Sequence, residues 1–115
     1  MIRKKTEQEI ETRSRMRGGA GEVTVRHYLK PEHLQARTRL CAELRIPPGA
    51  SIGVHDHVTE DEIYLIQRGR GTMTEGDRTF GVEAGDAIVT GRGASHSIQN
   101  TGAEELVVTA VIILY

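Results

Sequence analysis

The amino-acid sequence predicts an all-β fold of the sandwich or barrel type. Short segments in which apolar and polar residues alternate recur along most of the chain, and residues 22–29 and 38–46 are the clearest examples. Glycine is frequent, with 13 among 115 residues, and many of these glycines fall where turns are needed between the segments. Trp is absent and Phe occurs once, a composition that suits short strands joined by turns better than long packed helices.

Nine strands are predicted between Glu22 and the C-terminus. They cover residues 22–29, 38–46, 51–57, 62–69, two segments on either side of a turn within 71–82, and then 86–91, 96–101 and 105–115. Pro47 and Pro48 end the second strand because proline cannot donate a hydrogen bond to a β-ladder. Short strands at regular spacing with turn signals between them are typical of an all-β sandwich or barrel.

The chain divides into an N-terminal arm, residues 1–21, and one β-barrel domain, residues 22–115. The arm is dense in charge and holds only three large apolar residues, Ile2, Ile10 and Met16, too few for a core-facing helix. We expect the arm to be flexible or to be exchanged with a neighbouring subunit. The last strand is apolar on both faces and needs cover on its outer face, so a homodimer is predicted.

The charge balance gives no argument for a nucleic-acid or membrane partner. The chain has 15 basic and 16 acidic residues. Arg13, Arg15 and Arg17 are interpreted as solvated residues, because acids are interspersed among them and no aromatic platform accompanies them. The polar N-terminus has no signal-peptide pattern, and no apolar run approaches the roughly 18 residues that span a bilayer. Cys41 is the single cysteine, which excludes an internal disulfide. We expect a soluble, cytoplasmic protein.

Three histidines and one acidic residue form a candidate metal site. His55 and His57 are two residues apart on a predicted strand, so both side chains point to the same face. Glu62 opens the next strand after a chain reversal, and His96 begins a later strand after a glycine-rich turn. A set of imidazole and carboxylate ligands suits manganese, iron, cobalt, nickel or zinc better than calcium or a soft copper site.

Chemistry alone leaves the carboxylate ligand open among Glu60, Asp61 and Glu62. Glu60 has the strand parity of Glu62, but it falls in the predicted turn. Asp56 lies between the two histidines and points to the opposite face, so it is interpreted as a solvated residue. His27 shares a face with apolar residues and is interpreted as a buried histidine rather than a catalytic one.

The spacing of these residues resembles the two sequence motifs of the cupin superfamily. The first motif is matched at Gly49, His55, His57, Glu62 and Gly69. The second motif is matched at Gly85, Gly91, Gly93, His96 and Asn100. One position departs from the family pattern, since cupins usually have proline where this chain has Gly91. The 15 residues between the motifs make a short spacer, similar to that of small bacterial cupins.

The resemblance implies a double-stranded β-helix, or jelly-roll barrel, with a mononuclear metal inside. The implied ligands are His55, His57, Glu62 and His96, which selects Glu62 over its acidic neighbours. Manganese is the leading expectation, with iron, nickel, cobalt and zinc as alternatives. The motif glycines are expected to set turns, and Asn100 is expected to bond backbone near the second motif.

The expected ligand is a small anion that binds through two oxygens, such as oxalate or a 2-oxo acid. A divalent ion with one carboxylate ligand keeps a positive charge inside an apolar barrel, and such an anion balances it. Oxalate decarboxylases and oxalate oxidases are cupins with this ligand set. However, the position of a substrate-polarising arginine in oxalate decarboxylase is Ile52 here.

Two hypotheses follow for the function. One is a metal-dependent decarboxylase or dioxygenase that acts on a small carboxylate. The other is a non-catalytic, metal-anchored binding or sensor protein. Tyr64 has the strand parity of Glu62 and is the candidate catalytic residue, as a hydrogen-bond donor to substrate; the alternative is an ordinary core aromatic.

Overall fold

The structure, a computed structural model, describes all 115 residues. It contains ten β-strands arranged in two antiparallel sheets. The strands are β1 (Ile10–Ser14), β2 (Glu22–His27), β3 (Thr38–Ile46), β4 (Ser51–Asp56), β5 (Glu60–Arg68), β6 (Arg70–Glu75), β7 (Arg78–Glu83), β8 (Ala87–Gly91), β9 (Ser95–Gln99) and β10 (Leu106–Leu114). The larger sheet has the order β1-β2-β3-β10-β5-β8, and the smaller has the order β4-β9-β6-β7. Three short 3-10 turns complete the fold, and no helix is long and apolar enough to cross a membrane. The all-β prediction is confirmed.

The core lies between the two sheets and follows the alternation seen in the sequence. On β3 the inward side chains are Leu40, Ala42, Leu44 and Ile46, none of them more than 8% exposed. The inward residues of β10 are equally buried, and the smaller sheet contributes Ile52, Met73 and Ile98. Nine of the ten strands coincide with predicted ones. They could be predicted because a strand with one buried face has apolar residues at every second position.

β1 is the strand that the sequence did not predict. It pairs with β2 of the same chain, with Ile10 opposite Arg26 and Ser14 opposite Glu22, and so adds an edge to the larger sheet. No side chain of β1 is fully buried. The strand therefore lacks the apolar alternation that identifies the others. Exchange of the arm between subunits, and the division of the chain at residue 21, stay predictions.

The segment after β1 packs its backbone closely on β4. The amide of Ser51 donates to the carbonyl of Ala20 at 2.8 Å, and the amide of Ala20 donates to the Ser51 hydroxyl at 2.8 Å. A Cβ atom on Gly53 would lie 2.1 Å from the carbonyl oxygen of Arg17, and one on Gly19 would lie 2.2 Å from that of Ser51. Only glycine permits this approach.

A β-bulge changes the phase of β4 before it reaches the two histidines. The pairing of β4 with β9 shifts register between Ile52 and His55. Strict alternation would put these two side chains on opposite faces, yet Ile52 is fully buried and the His55 side chain is only 9% exposed. The extra residue lets both face the interior, as bulges beside functional sites commonly do.

The outer face of β10 is only partly covered within the single chain. Val107 is buried by its neighbours, Val111 is half-buried and Ile113 is 40% exposed. Because β10 lies in the middle of the sheet between β3 and β5, a partner would have to cover its face rather than pair with its edge. The homodimer stays a prediction.

The close approach at Gly53 predicts an unequal response to alanine at two strand glycines. Gly53→Ala forces a Cβ atom against the Arg17 carbonyl, so we expect it to lower the free energy of unfolding by about 1–3 kcal/mol. Gly81→Ala on β7 is the control, because the nearest atom to its Cβ would be 4.0 Å away and its effect should stay within about 0.5 kcal/mol. Urea unfolding measures both. Equal losses would contradict the packing of residues 17–21 on β4.

Candidate metal centre

Four side chains from three strands and one loop meet in the barrel interior. His55 on β4 pairs across the ladder with His96 on β9, so their side chains are neighbours. His57 follows β4 and is fixed by its backbone, which donates to the carbonyl of Ala94 at 3.0 Å and accepts from the amide of Gly93 at 2.8 Å. Glu62 reaches the same point from β5 in the opposite sheet.

The candidate ligand atoms are close enough to share one ion. His57 Nε2, His96 Nε2 and Glu62 Oε1 are 2.9–3.0 Å from one another. His55 Nε2 lies 3.1 Å from His96 Nε2 and 3.8 Å from Glu62 Oε1. Adjacent vertices of an octahedron with metal–ligand bonds of about 2.1 Å are about 3.0 Å apart, whereas those of a tetrahedron are about 3.4 Å apart. The three tightest separations fit one face of an octahedron.

Hydrogen bonds fix which imidazole nitrogens are free to bind a metal. His55 Nδ1 lies 2.7 Å from the carbonyl oxygen of Gly53, and His57 Nδ1 lies 2.7 Å from Glu60 Oε1. Both partners are acceptors, so each Nδ1 carries the proton and each neutral ring turns an Nε2 lone pair toward Glu62. Glu62 Oε1 is buried and receives no hydrogen bond. His55 Nε2, His57 Nε2 and Glu62 Oε1 are thus acceptors that face one another, an arrangement that a bound cation would stabilise, so the residues fit a metal.

The pKa values of Glu62, His96 and His57 are shifted by their burial and by their contacts with one another. Burial alone would raise the pKa of the Glu62 carboxyl, but the three imidazoles that converge on it outweigh burial and hold the pKa well below its usual value. Burial lowers the pKa of His96, which favours the neutral ring that a metal needs. For His57, burial acts in the same direction, but contacts with Glu62 and Glu60 outweigh it and raise the pKa. Glu62 therefore stays ionised, and an anionic carboxylate beside imidazole nitrogens favours the binding of a divalent ion.

Glu60 holds the ligand His57 in place, a role that the sequence did not reveal. The sequence placed Glu60 in a turn, but it is the first residue of β5 and only 7% exposed. Arg39 donates two hydrogen bonds, of 2.6 and 3.0 Å, to the Glu60 carboxylate. His57 Nδ1 donates to the same carboxylate. The shared parity of Glu60 and Glu62 was the signal available. Carboxylates behind ligand histidines fix the ring and raise its basicity.

Tyr64 lies beside the cluster. Its ring stacks on that of His96, with centroids 5.2 Å apart, and it is 2% exposed. Burial, together with the neighbouring Glu62 carboxylate, raises the pKa of the Tyr64 phenol well above its usual value. The phenol therefore keeps its proton and can donate a hydrogen bond but cannot act as a base. Its assignment as a catalytic residue stays a prediction.

Asp56 and Asn100 lie away from the ligand cluster, whereas His27 lines the cavity that opens onto it. Asp56 is exposed, on the face opposite the histidines. His27 is half-buried, with Nε2 at 3.4 Å from Glu11 Oε2. Asn100 donates to the carbonyl oxygens of Ile46 and Glu104, so it ties the end of β3 to the turn before β10.

A cavity of about 100 Å³ opens onto the cluster. Three of the four candidate ligands and Tyr64 line it, and Leu40, Leu44 and Ile112 supply apolar wall. Arg13, Met16 and Arg17 of the N-terminal arm line it as well. The sequence had placed these arginines in solvent, because nothing local indicates where an arm folds back.

Comparisons with known proteins find a matching family model and similar sequences and structures. The sequence model described as "Cupin domain" matches residues 42–112. An oxalate-binding protein of Thermotoga maritima is 43% identical over 114 residues, which cover 99% of this chain and 94% of that protein. A crystal structure of a predicted oxalate decarboxylase from Thermotoga maritima superposes with a TM-score of 0.94 at 43% identity, with both chains fully covered. The polyketide cyclase RemF of Streptomyces resistomycificus, at 22% identity, shares the fold with a TM-score of 0.78, covering 99% of this chain and 80% of that one.

The converging ligand atoms predict one metal ion per chain. We expect about one equivalent of a transition metal in the purified protein and its loss in His96→Ala, which removes a ligand nitrogen from the cluster. His33→Ala is the matched control, because His33 lies in the Pro31–His33 turn and contacts Arg3 instead. Elemental mass spectrometry measures the content. Equal metal in both variants would contradict the site.

The contact of Glu60 with His57 predicts an effect on metal affinity without loss of a ligand. Glu60→Gln removes the negative charge behind the ring and its ion pair with Arg39, so we expect metal binding to weaken by about tenfold or more. Asp56→Asn is the control, since it removes an acid that points away from the cluster. Competition with a chelating dye gives both affinities. An unchanged affinity in Glu60→Gln would show that the contact does not tune the ligand.

Proposed function

Because this chain belongs to the cupin family, we propose that it binds one divalent transition metal in its barrel and takes a small carboxylate anion as the ligand of that metal. The observation that carries the proposal is the convergence of four candidate ligand atoms within 4.8 Å of one another, with the buried Glu62 Oε1 receiving no hydrogen bond. The residues that would hold the ion are His55, His57, Glu62 and His96. Manganese is the leading candidate, and iron, nickel, cobalt and zinc accept the same nitrogen and oxygen ligands.

The charge of the site favours an anion. A divalent ion with Glu62 as its one anionic ligand keeps a net positive charge, and the other carboxylate nearby, Glu60, is already paired with Arg39. The apolar side chains on the cavity wall supply no compensating charge. An anion that enters the cavity would replace water beside the positively charged metal. The apolar wall strengthens the attraction between the anion and the metal.

The size of the cavity favours a very small anion. Its volume of about 100 Å³ is below that of a cavity of about 150 Å³, which encloses benzene. By the same comparison a ligand larger than benzene, with more than about six non-hydrogen atoms, is excluded. Oxalate, glyoxylate and pyruvate meet this limit. The similarity to an oxalate-binding protein supports oxalate as the first of them to test.

Catalysis is the second candidate, and the four-ligand cluster is the observation that favours it. Four protein ligands leave positions open on a six-coordinate ion, as in catalytic rather than structural sites. When bound, the metal would supply Lewis-acid polarisation of the carboxylate. Tyr64 would donate a hydrogen bond to the substrate, and the apolar wall would exclude water. Against turnover, the further imidazole that lines the cavity, His27, contacts Glu11 through Nε2, and Ile52 stands where oxalate decarboxylases have an arginine.

The proposal predicts ligand-dependent stability of the metal-loaded protein. Oxalate at a hundredfold excess over its Kd should stabilise the fold by about 2.7 kcal/mol, seen as a raised Tm, and the effect should vanish after chelation of the metal. Chloride at equal ionic strength is the control. Absence of a shift with oxalate, glyoxylate and pyruvate, in manganese- and iron-loaded protein, would contradict the proposed function.

Carbon dioxide release separates binding from decarboxylation in the same samples. A Tm shift without release indicates a binding or sensor protein. A Tm shift with release, lost in His96→Ala, indicates a lyase. For the redox alternative, oxygen consumption with iron-loaded protein is the corresponding measurement.

A further inference from the structure

Arg17 of the N-terminal arm lines the cavity that opens onto the candidate metal ligands. We propose that its guanidinium group binds the part of the carboxylate ligand that the metal does not hold, and that it makes the site select dianions over monoanions. The proposal rests on the proposed function and adds the ligand class. It also gives the arm a role in binding that its sequence did not indicate.

Arg17 is the uncommitted cation of this cavity. Three arginines line it, and two of them already have carboxylate partners: Arg13 is paired with Glu11, and Arg39 is paired with Glu60 through two hydrogen bonds. The side chain of Arg17 makes no ion pair and no hydrogen bond, and the residue is exposed to solvent on its other side. A guanidinium group presents a planar fork of donors that matches a carboxylate.

The fold holds Arg17 in this position by its backbone. Its carbonyl oxygen packs against Gly53, where a Cβ atom would be only 2.1 Å away. Its φ of 54° lies in the left-handed region, which is unfavourable for a residue with a side chain. Such a conformation persists where surrounding contacts impose it, and it is found preferentially at functional sites. Arg15 shares the conformation, with a φ of 49°, but does not line the cavity.

Arg17 and the ligand cluster share one cavity. Arg17 lines it together with His55, His57, Glu62 and Tyr64. An anion bound between the metal and Tyr64 would therefore be exposed to the positive charge of the guanidinium group.

The charges favour a dianion. A divalent metal with Glu62 as its one anionic ligand has a net charge of +1, and Arg17 adds a second positive charge at the same cavity. Oxalate, with two negative charges, neutralises both, whereas glyoxylate, of similar size, neutralises one. The contribution of Arg17 is measured by how far its removal lowers the affinity for oxalate relative to the affinity for glyoxylate.

The experiment compares two arginines that share a backbone conformation. Arg17→Gly and Arg15→Gly each put glycine at a positive φ that it adopts freely, so neither should lower the Tm. Oxalate and glyoxylate are titrated calorimetrically into manganese-loaded protein. We expect Arg17→Gly to weaken oxalate binding by about tenfold or more, the loss of one charge-assisted contact, and to weaken glyoxylate binding less. Arg15→Gly should leave both affinities unchanged, and Arg17→Lys should retain part of the oxalate affinity.

The outcomes separate this proposal from the one on which it rests. Equal oxalate affinity in wild type and Arg17→Gly overturns the role of Arg17 and leaves the proposed function intact. Failure of the wild type to bind either anion overturns the proposed function, and this proposal with it. A loss of oxalate binding that accompanies lower metal content or Tm in both Arg17→Gly and Arg17→Lys assigns Arg17 a structural role and also overturns the proposal.

Discussion

Four candidate ligand atoms converge within 4.8 Å of one another inside the barrel, and keeping their lone pairs directed at one another is the constraint on which the surrounding structure depends. Each imidazole must keep its proton on Nδ1 to leave Nε2 free, and the acceptors at Gly53 and Glu60 impose this on two of the rings. Arg39 then neutralises Glu60, so its charge stays behind the ring instead of competing for the ion. The apolar walls lower the local polarity and strengthen every attraction to that ion.

Gly53 links the metal centre to the N-terminal arm. Its carbonyl oxygen accepts the Nδ1 proton of His55, and its missing side chain lets the backbone of Arg17 pack directly on β4. The bulge in β4 includes this residue and turns His55 inward. One short segment of strand therefore sets the orientation of a ligand and the position of a cation in the same cavity. A change in the docking of the arm would therefore be expected to alter the position of His55 through this segment.

The barrel explains the position of the site but does not choose the reaction. Function depends on the side chains that a fold presents, and a jelly roll presents an interior that accepts many of them. In this chain the interior offers a cluster that could hold a metal ion, a protonated phenol and a small, partly apolar volume. These features suit recognition of a small anion directly. Bond cleavage would need the metal to do most of the chemistry, because the acid and base groups of the cavity are ligands or are already paired.

The sequence by itself determined the fold class, nine of the ten strands and the four side chains that meet in the barrel. It could do so because burial of one strand face imposes a period of two, and because the ligand residues keep the spacing of two cupin motifs. Only the tertiary structure decided the rest. β1 has no buried side chain to reveal it, the bulge at Gly53 packs against the backbone of the arm, and Glu60 acquires its role from Arg39. The arrival of Arg17 at the cavity is a contact between segments far apart in the chain, and local pattern carries no information about such contacts.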